Sequence, residues 1–298
     1  MTATPHLPGR RRQRPAVPSR FAGIPARPLA LLVGAVVALI AALFVVPPLL
    51  AEHIAGDGSV DQDNLAASFR TAFVEYWRAG RRDFTPGMDR AVDYWFRFHV
   101  VKAVIAAILL VVVVALGMLV WRAFLRARDL GTGRRAGLVS AGVFVTMLGA
   151  GALATVMANI QGAVAPFSSL LTLLPSGAAE GETGDTLRQV REALDAASGK
   201  GERTPPALDL MIDDFARYHA ALAVVAGLVA VVLIGLAVVV WRRFAATEAA
   251  DRRTRRLLGW FGVLAVASVL VVLVVVMANV GTTADPKPAL AAFFEGGW

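Results

Sequence analysis

The chain is written twice. Residues 85–174 recur 120 positions later, without a gap, as residues 205–294. Shared apolarity does not produce the match, because particular polar residues repeat: Asp89, Asp93, Arg97 and His99 correspond to Asp209, Asp213, Arg217 and His219. Further on, Trp121, Arg122 and Phe124 correspond to Trp241, Arg242 and Phe244, the run Val156 to Asn159 to Val276 to Asn279, and Pro166 to Pro286. A repeated unit of this size is expected to stack against its own copy.

The unit contains two long apolar blocks. At 57% hydrophobic residues and a mean hydropathy of +0.62, the 298-residue chain is too apolar for an ordinary soluble domain. A bilayer core of roughly 30 Å needs about 20 helical residues, and five blocks qualify: Leu29–Val46, Val100–Val120, Gly137–Ala158, Ala220–Val240 and Leu257–Ala278. The expected fold is therefore an all-α integral membrane protein with five transmembrane helices. A duplicated two-helix unit forms a four-helix bundle, and one N-terminal anchor helix packs outside it. Each copy crosses the membrane twice, so the copies share one orientation and the bundle has a parallel pseudo-twofold along the membrane normal. Ala150, Ala154 and Ala158, four apart in the third span, offer a small-residue face for close helix contact.

Charge placement sets the orientation. Segments 1–27, 122–136 and 242–256 together hold seventeen Arg against three acids, whereas segments 51–97, 161–217 and 281–298 hold twelve Lys or Arg against nineteen acids. By the positive-inside rule the N-terminus is cytoplasmic and the C-terminus extracytoplasmic in a bacterial plasma membrane. The formal net charge of +8 thus reflects membrane anchoring, and with no basic stripe interleaved with aromatics it does not indicate a nucleic-acid partner. Cysteine is absent, which excludes disulfides, thiolate metal sites and thiol nucleophiles. Arg10-Arg11-Arg12 ahead of the first span resembles a twin-arginine export signal, but Gln13, Arg14 and Pro15 follow it and no small-x-small site ends the span. An uncleaved signal anchor is the expected reading.

The segments follow in order. Residues 1–27 form a disordered basic cytoplasmic tail, 28–50 the anchor, 51–84 an extracytoplasmic segment with a helical pattern over Leu65–Ala79, and 85–174 the first repeat. An extracytoplasmic linker, 175–204, carries a helical pattern over Thr186–Ala197, and 205–298 holds the second repeat and a tail. Thr85-Pro86 and Thr204-Pro205 are helix-start signals, with threonine as the cap and proline in the first helical position. The stretches after Pro166 and Pro286 look like short interfacial helices resting on the headgroups, or, at Phe293–Trp298, a docking peptide.

The candidate site is the repeated polar set Asp93, Arg97, His99, Asn159, Asp213, Arg217, His219 and Asn279. Asp89, Asp93 and Arg97 lie four apart, as do Asp209, Asp213 and Arg217, which places each trio on one helical face just outside the bilayer. Two readings stand: a solvated ion-pair ladder, or a functional Asp-Arg set facing the sister copy. His99 and His219 fall at the same depth as Asn159 and Asn279, where an amide near hydrocarbon needs a partner. A helix-to-helix clasp, a two-histidine metal site and a polar ligand pocket are the three readings of that layer. Lys102, which Leu222 replaces in the second copy, is expected to snorkel outward.

No Walker A loop and no Gly-x-Ser-x-Gly elbow occurs, so no catalytic, cofactor-binding or metal-ligating residue is assigned and no cofactor is expected. Arg-Phe-His or Arg-Tyr-His before a span, Trp-Arg after it and Met-Ala-Asn at the return resemble uncharacterised multi-pass membrane proteins of high-GC, actinobacterial genomes. That resemblance covers residues 29–298 and implies location and topology without an activity. The expected function is a non-catalytic scaffold or interaction protein acting through its duplicated extracytoplasmic face. Its partners would be the bilayer and a membrane protein or a second copy. A small transporter or channel subunit, and an outer-leaflet enzyme or ligand-binding protein using the Asp-Arg-His set, are the alternatives.

Overall fold

A computed structural model describes residues 26–55, 60–126, 131–175, 180–198 and 204–296. The expected basic tail up to residue 25, and Gly297 and Trp298 of the expected docking peptide, lie outside the described residues. Within them the chain is helical, with no strand. Five helices are long and apolar enough to cross a membrane: α1 (Ala26–Ala55), α3 (Pro86–Arg126), α4 (Thr132–Val164), α7 (Pro206–Ala246) and α8 (Arg252–Ala284). This is the make-up of an integral membrane protein. The shorter helices are α2 (Leu65–Ala79), α5 (Pro166–Leu170), α6 (Gly181–Ser198) and α9 (Pro286–Glu295).

The repeat in the letters recurs in the element bounds. Helices α3 and α7 each have 41 residues and begin at Pro86 and Pro206, while α4 and α8 each have 33 and begin at Thr132 and Arg252. α3 therefore runs unbroken from polar to apolar sequence, because no proline or glycine pair interrupts it and the helical bonds satisfy every amide inside the apolar layer. Threonine does not cap either start. Thr85 Oγ1 is buried without a hydrogen-bond partner among the described residues, and Pro205 takes the N-cap of α7 with Pro206 in the first turn.

In the apolar layer α3 packs along α4 and α7 along α8, as two antiparallel hairpins. α1 lies along α3, and α4 touches α7. Helix α1 continues through Pro47 and Pro48, although each proline removes an amide donor; its far end, Ala51, is fully buried in the cluster beyond the apolar layer. A core inside the layer joins α1, α3 and α4 through Val36, Leu43, Leu109, Val113, Val145 and Ala152. Ala150, Ala154 and Ala158, expected at a close helix contact, are exposed instead. The contacting side of α4 uses Gly142, Val145, Ala152 and Asn159.

The larger core lies outside the apolar layer, at the end opposite the arginine-rich turns. There α2, α5, α6, α9 and the first turns of α3 and α7 form a helical cap around Phe69, Phe73, Tyr76, Met88, Phe167 and Met211. Leu65, Phe69, Phe73 and Tyr76 recur at helical spacing on one face of α2. Gly80 ends that helix with a left-handed φ of 62° and its amide on Trp77 O, a conformation that favours glycine. Burying a large apolar side chain contributes about 1.5–3 kcal/mol, so this aromatic set orders the cap. Phe167, Leu170, Leu290 and Phe294 are buried in it. The stretches after Pro166 and Pro286 thus fill the cap, correcting the expectation that they rest on headgroups: Phe167 meets Tyr76 of α2 and Phe84 edge-on at 5.6 and 5.1 Å, and α9 packs against α6 and α7.

Candidate functional site at the capped end

The first-hairpin ladder forms as its spacing predicts. Arg97 pairs with Asp93 one turn earlier on α3, while Asp89 is exposed. The second differs. Arg82, in the turn between α2 and α3, reaches across to bind Asp209 and Asp213 on α7, and Arg217 turns to Asp214 at 3.3 Å. Because Arg82 and its carboxylates are about half exposed, water screens this pair, which links the hairpins more by geometry than by energy.

Asp214 is the site residue that sequence reasoning passed over. Its side chain is 7% exposed, and one of its oxygens accepts both the Ser168 amide and the Ser168 hydroxyl, each at 2.8 Å. Ser168 lies in the first turn of α5, so a carboxylate from the second hairpin satisfies the free amide of a helix from the first. Burial pushes the Asp214 carboxyl above its ordinary value, opposed by the two Ser168 bonds and Arg217; the residue lies six positions before the apolar span begins. Its counterpart in the register is Tyr94, which is 1% exposed with a hydroxyl that has no hydrogen-bond partner among the described residues. Burial and the nearby carboxylates of Glu52, Asp61 and Asp63 push the Tyr94 hydroxyl up to about 12. No pattern marked Asp214, because the repeat aligns it with an uncharged residue.

The histidine-asparagine layer is also built two ways. His219 Nδ1 lies 2.7 Å from Asn279 Oδ1, and Asn279 donates through Nδ2 to Val275 O at 2.8 Å. With the amide so oriented, Nδ1 must carry the proton and donate. This is the helix-to-helix clasp, joining α7 to α8. In the first hairpin His99 Nδ1 instead donates to Trp95 O at 2.9 Å, and Asn159 bonds back to Thr155 O at 2.7 Å. Glycine explains the difference. A Cβ on Gly162 would lie 2.2 Å from His99 Cδ2, so the His99 ring occupies a slot that only glycine leaves open. The matching position in the second hairpin is Thr282, which carries a Cβ there, and His219 pairs with Asn279 instead. His99 and Asn159 are buried, and Lys102 Nζ sits 5.0 Å from the Phe98 ring, one turn toward the cap.

Further bonds tie the cap together. Tyr76 donates to Ala207 O at 2.9 Å, Trp77 Nε1 to Gln189 Oε1 at 3.0 Å, and Gln161 Nε2 to Tyr218 O at 3.2 Å. Lys287 reaches Ala197 O at 2.9 Å. Burial raises the Tyr76 phenol well above its usual value, so it acts as a fixed donor. At the other end of the hairpins, Trp121 lies on Gly142 and Trp241 on Gly262, where an added Cβ would come within 2.7 and 2.8 Å of the indoles. These glycines keep the 120-residue offset and could have been found by extending the register through the spans.

Among the described residues no cluster of three or more His, Asp or Glu is placed to hold a metal ion. No protein-family model matches the chain, and no curated protein or solved structure matches it. The fold and the site together define the class, an all-helical membrane protein with a polar-bonded helical cap.

Proposed function

We propose that this is a bacterial plasma-membrane protein, N-terminus cytoplasmic and C-terminus extracytoplasmic, that works as a non-catalytic scaffold or interaction protein through its capped face. The observation that carries the reading is where the repeated polar residues go. Asp209, Asp213, His219 and Asn279, with Asp214, bind across to other helices or to the α2–α3 turn, so they hold a surface in shape. The paired helix lengths support descent of the two hairpins from one duplicated unit, with the four long helices as a two-copy bundle. The exposed side of α6, with Glu182, Asp185, Glu192 and Asp195 against Arg188, is the face such a cap presents outward.

The test is a photocrosslinking residue placed at Glu192 or Asp195 and, as a lipid-facing control, at Val271, each in the native membrane. A discrete crosslinked protein or a second copy at the α6 positions, absent at Val271, is the expected result. Identical products at all three positions would overturn the reading.

A further inference from the structure

The end of the hairpins away from the cap is open. A cavity of about 770 Å³ lies between α4 and α8, with Trp121 and Phe124 of α3 at its base. Two contacts pin α8 to α3 there: Arg253 lies over the Phe124 ring at 4.2 Å and binds Phe124 O, and Trp121 meets Phe261 edge-on at 5.0 Å. On the α4 and α8 walls the lining is layered by depth. Arg135, Arg252 and Arg256 stand just outside the third and fifth spans, and Val143, Met147 and Leu264 lie within them.

Arg135, Arg252 and Arg256 are exposed, and their guanidinium groups have no carboxylate partner among the described residues. Trp260, 70% exposed, stands at the boundary between the charged and apolar layers, where an indole is favoured. From Arg256 to Leu264 the groove runs eight residues along α8, about 12 Å of helix, which is most of one leaflet's hydrocarbon depth. A cationic mouth at headgroup level above an apolar trough open to the bilayer complements one kind of molecule. Arginine's planar donors suit a phosphate, and the valine, methionine and leucine wall suits an acyl chain.

We infer that the groove between α4 and α8 is a binding site for one anionic glycerophospholipid of the cytoplasmic leaflet, with its phosphate at Arg135, Arg252 and Arg256 and an acyl chain along Val143, Met147 and Leu264. The leaflet rests on the orientation proposed above; the lipid chemistry rests on the groove alone. Basic pockets between helices near this surface select anionic headgroups.

The test is native mass spectrometry of the full chain in neutral detergent, titrated with phosphatidylglycerol, phosphatidylcholine or glycerol phosphate. One phosphatidylglycerol should be retained, in preference to the other two probes. The pair Arg252→Gln, Arg256→Gln should weaken retention roughly thirtyfold. Leu264→Trp, which fills the trough and keeps the charges, should weaken it as well. Equal retention of phosphatidylcholine, unchanged retention in both variants, binding of glycerol phosphate as tight as the lipid, or a dimer that excludes lipid would each overturn the site. Orientation is read separately by labelling a single cysteine, Gly131→Cys, in intact cells with an impermeant maleimide. Labelling from outside would overturn the leaflet and leave the groove's lipid preference standing.

Discussion

The two hairpins match in helix length and in register, yet their tips are fastened differently. In the second, His219 bridges to the neighbouring helix through Asn279 and Asp214 reaches into the first hairpin. In the first, His99 folds back on its own helix against Gly162, and Tyr94 fills the Asp214 position with no partner for its hydroxyl among the described residues. The difference teaches that a repeated polar motif fixes depth in the membrane but not partnership. One residue across the interface, glycine or threonine, decides where the imidazole goes.

Gly162→Ala is the strongest way to break the comparison. The His99 ring is confined by Trp95 at 4.6 Å and Phe98 at 5.6 Å, so the new methyl has no soft neighbour to displace. Thermal unfolding in detergent should show a loss of about 3 kcal/mol, at the upper end for overpacking, while Thr282→Ala in the second hairpin stays near neutral. Equal losses at the two positions would remove the distinction.

Asp214→Ala comes next, at about 2 kcal/mol, because the buried Ser168 amide and hydroxyl lose their acceptor. Asp214→Asn sharpens the point through pH. A carboxyl whose folded value is raised binds its proton more firmly when folded, so its stabilising influence is fully present below the unfolded value and is lost as pH rises through the folded one. Wild type should therefore lose a component of stability as pH rises above the ordinary carboxylate value, and Asp214→Asn should abolish that component in denaturation series at stepped pH.

A smaller effect separates the asparagines. Asn279→Ala, which removes the acceptor of His219, should cost about 1 kcal/mol, and Asn159→Ala, which removes a bond within one helix, about half that; thermal shifts of the two variants side by side measure the difference. The smallest change belongs to Tyr94→Phe, which removes a hydroxyl with no partner among the described residues and should leave the unfolding free energy within about 0.5 kcal/mol of wild type in thermal melts. A clear loss there would reveal a bond to the Tyr94 hydroxyl.

Much of the architecture was legible because its causes are local or periodic. Apolar block length marked five spans, and the spacing of Leu65, Phe69, Phe73 and Trp77 marked α2 to the residue. The candidate site was legible only in part. Asp93 with Arg97 and His219 with Asn279 could be paired from helical geometry, whereas Arg82 on Asp209 joins residues 127 apart that no local rule relates. Asp214 was invisible because its role depends on α5 arriving above it. The apolar stretches after Pro166 and Pro286 fit a lipid surface and a protein core equally well by composition.

The sequence by itself determined the membrane class, the helices and their 120-residue register, since hydrophobic length and backbone satisfaction inside a bilayer leave helices as the answer for such blocks. Only the tertiary structure decided that the extramembrane helices close into one cap, that the two histidines take different partners, and that a basic groove stays open between α4 and α8. Those outcomes depend on contacts between residues far apart in the chain, where a single Cβ or carboxylate selects among packings that the letters alone leave equivalent.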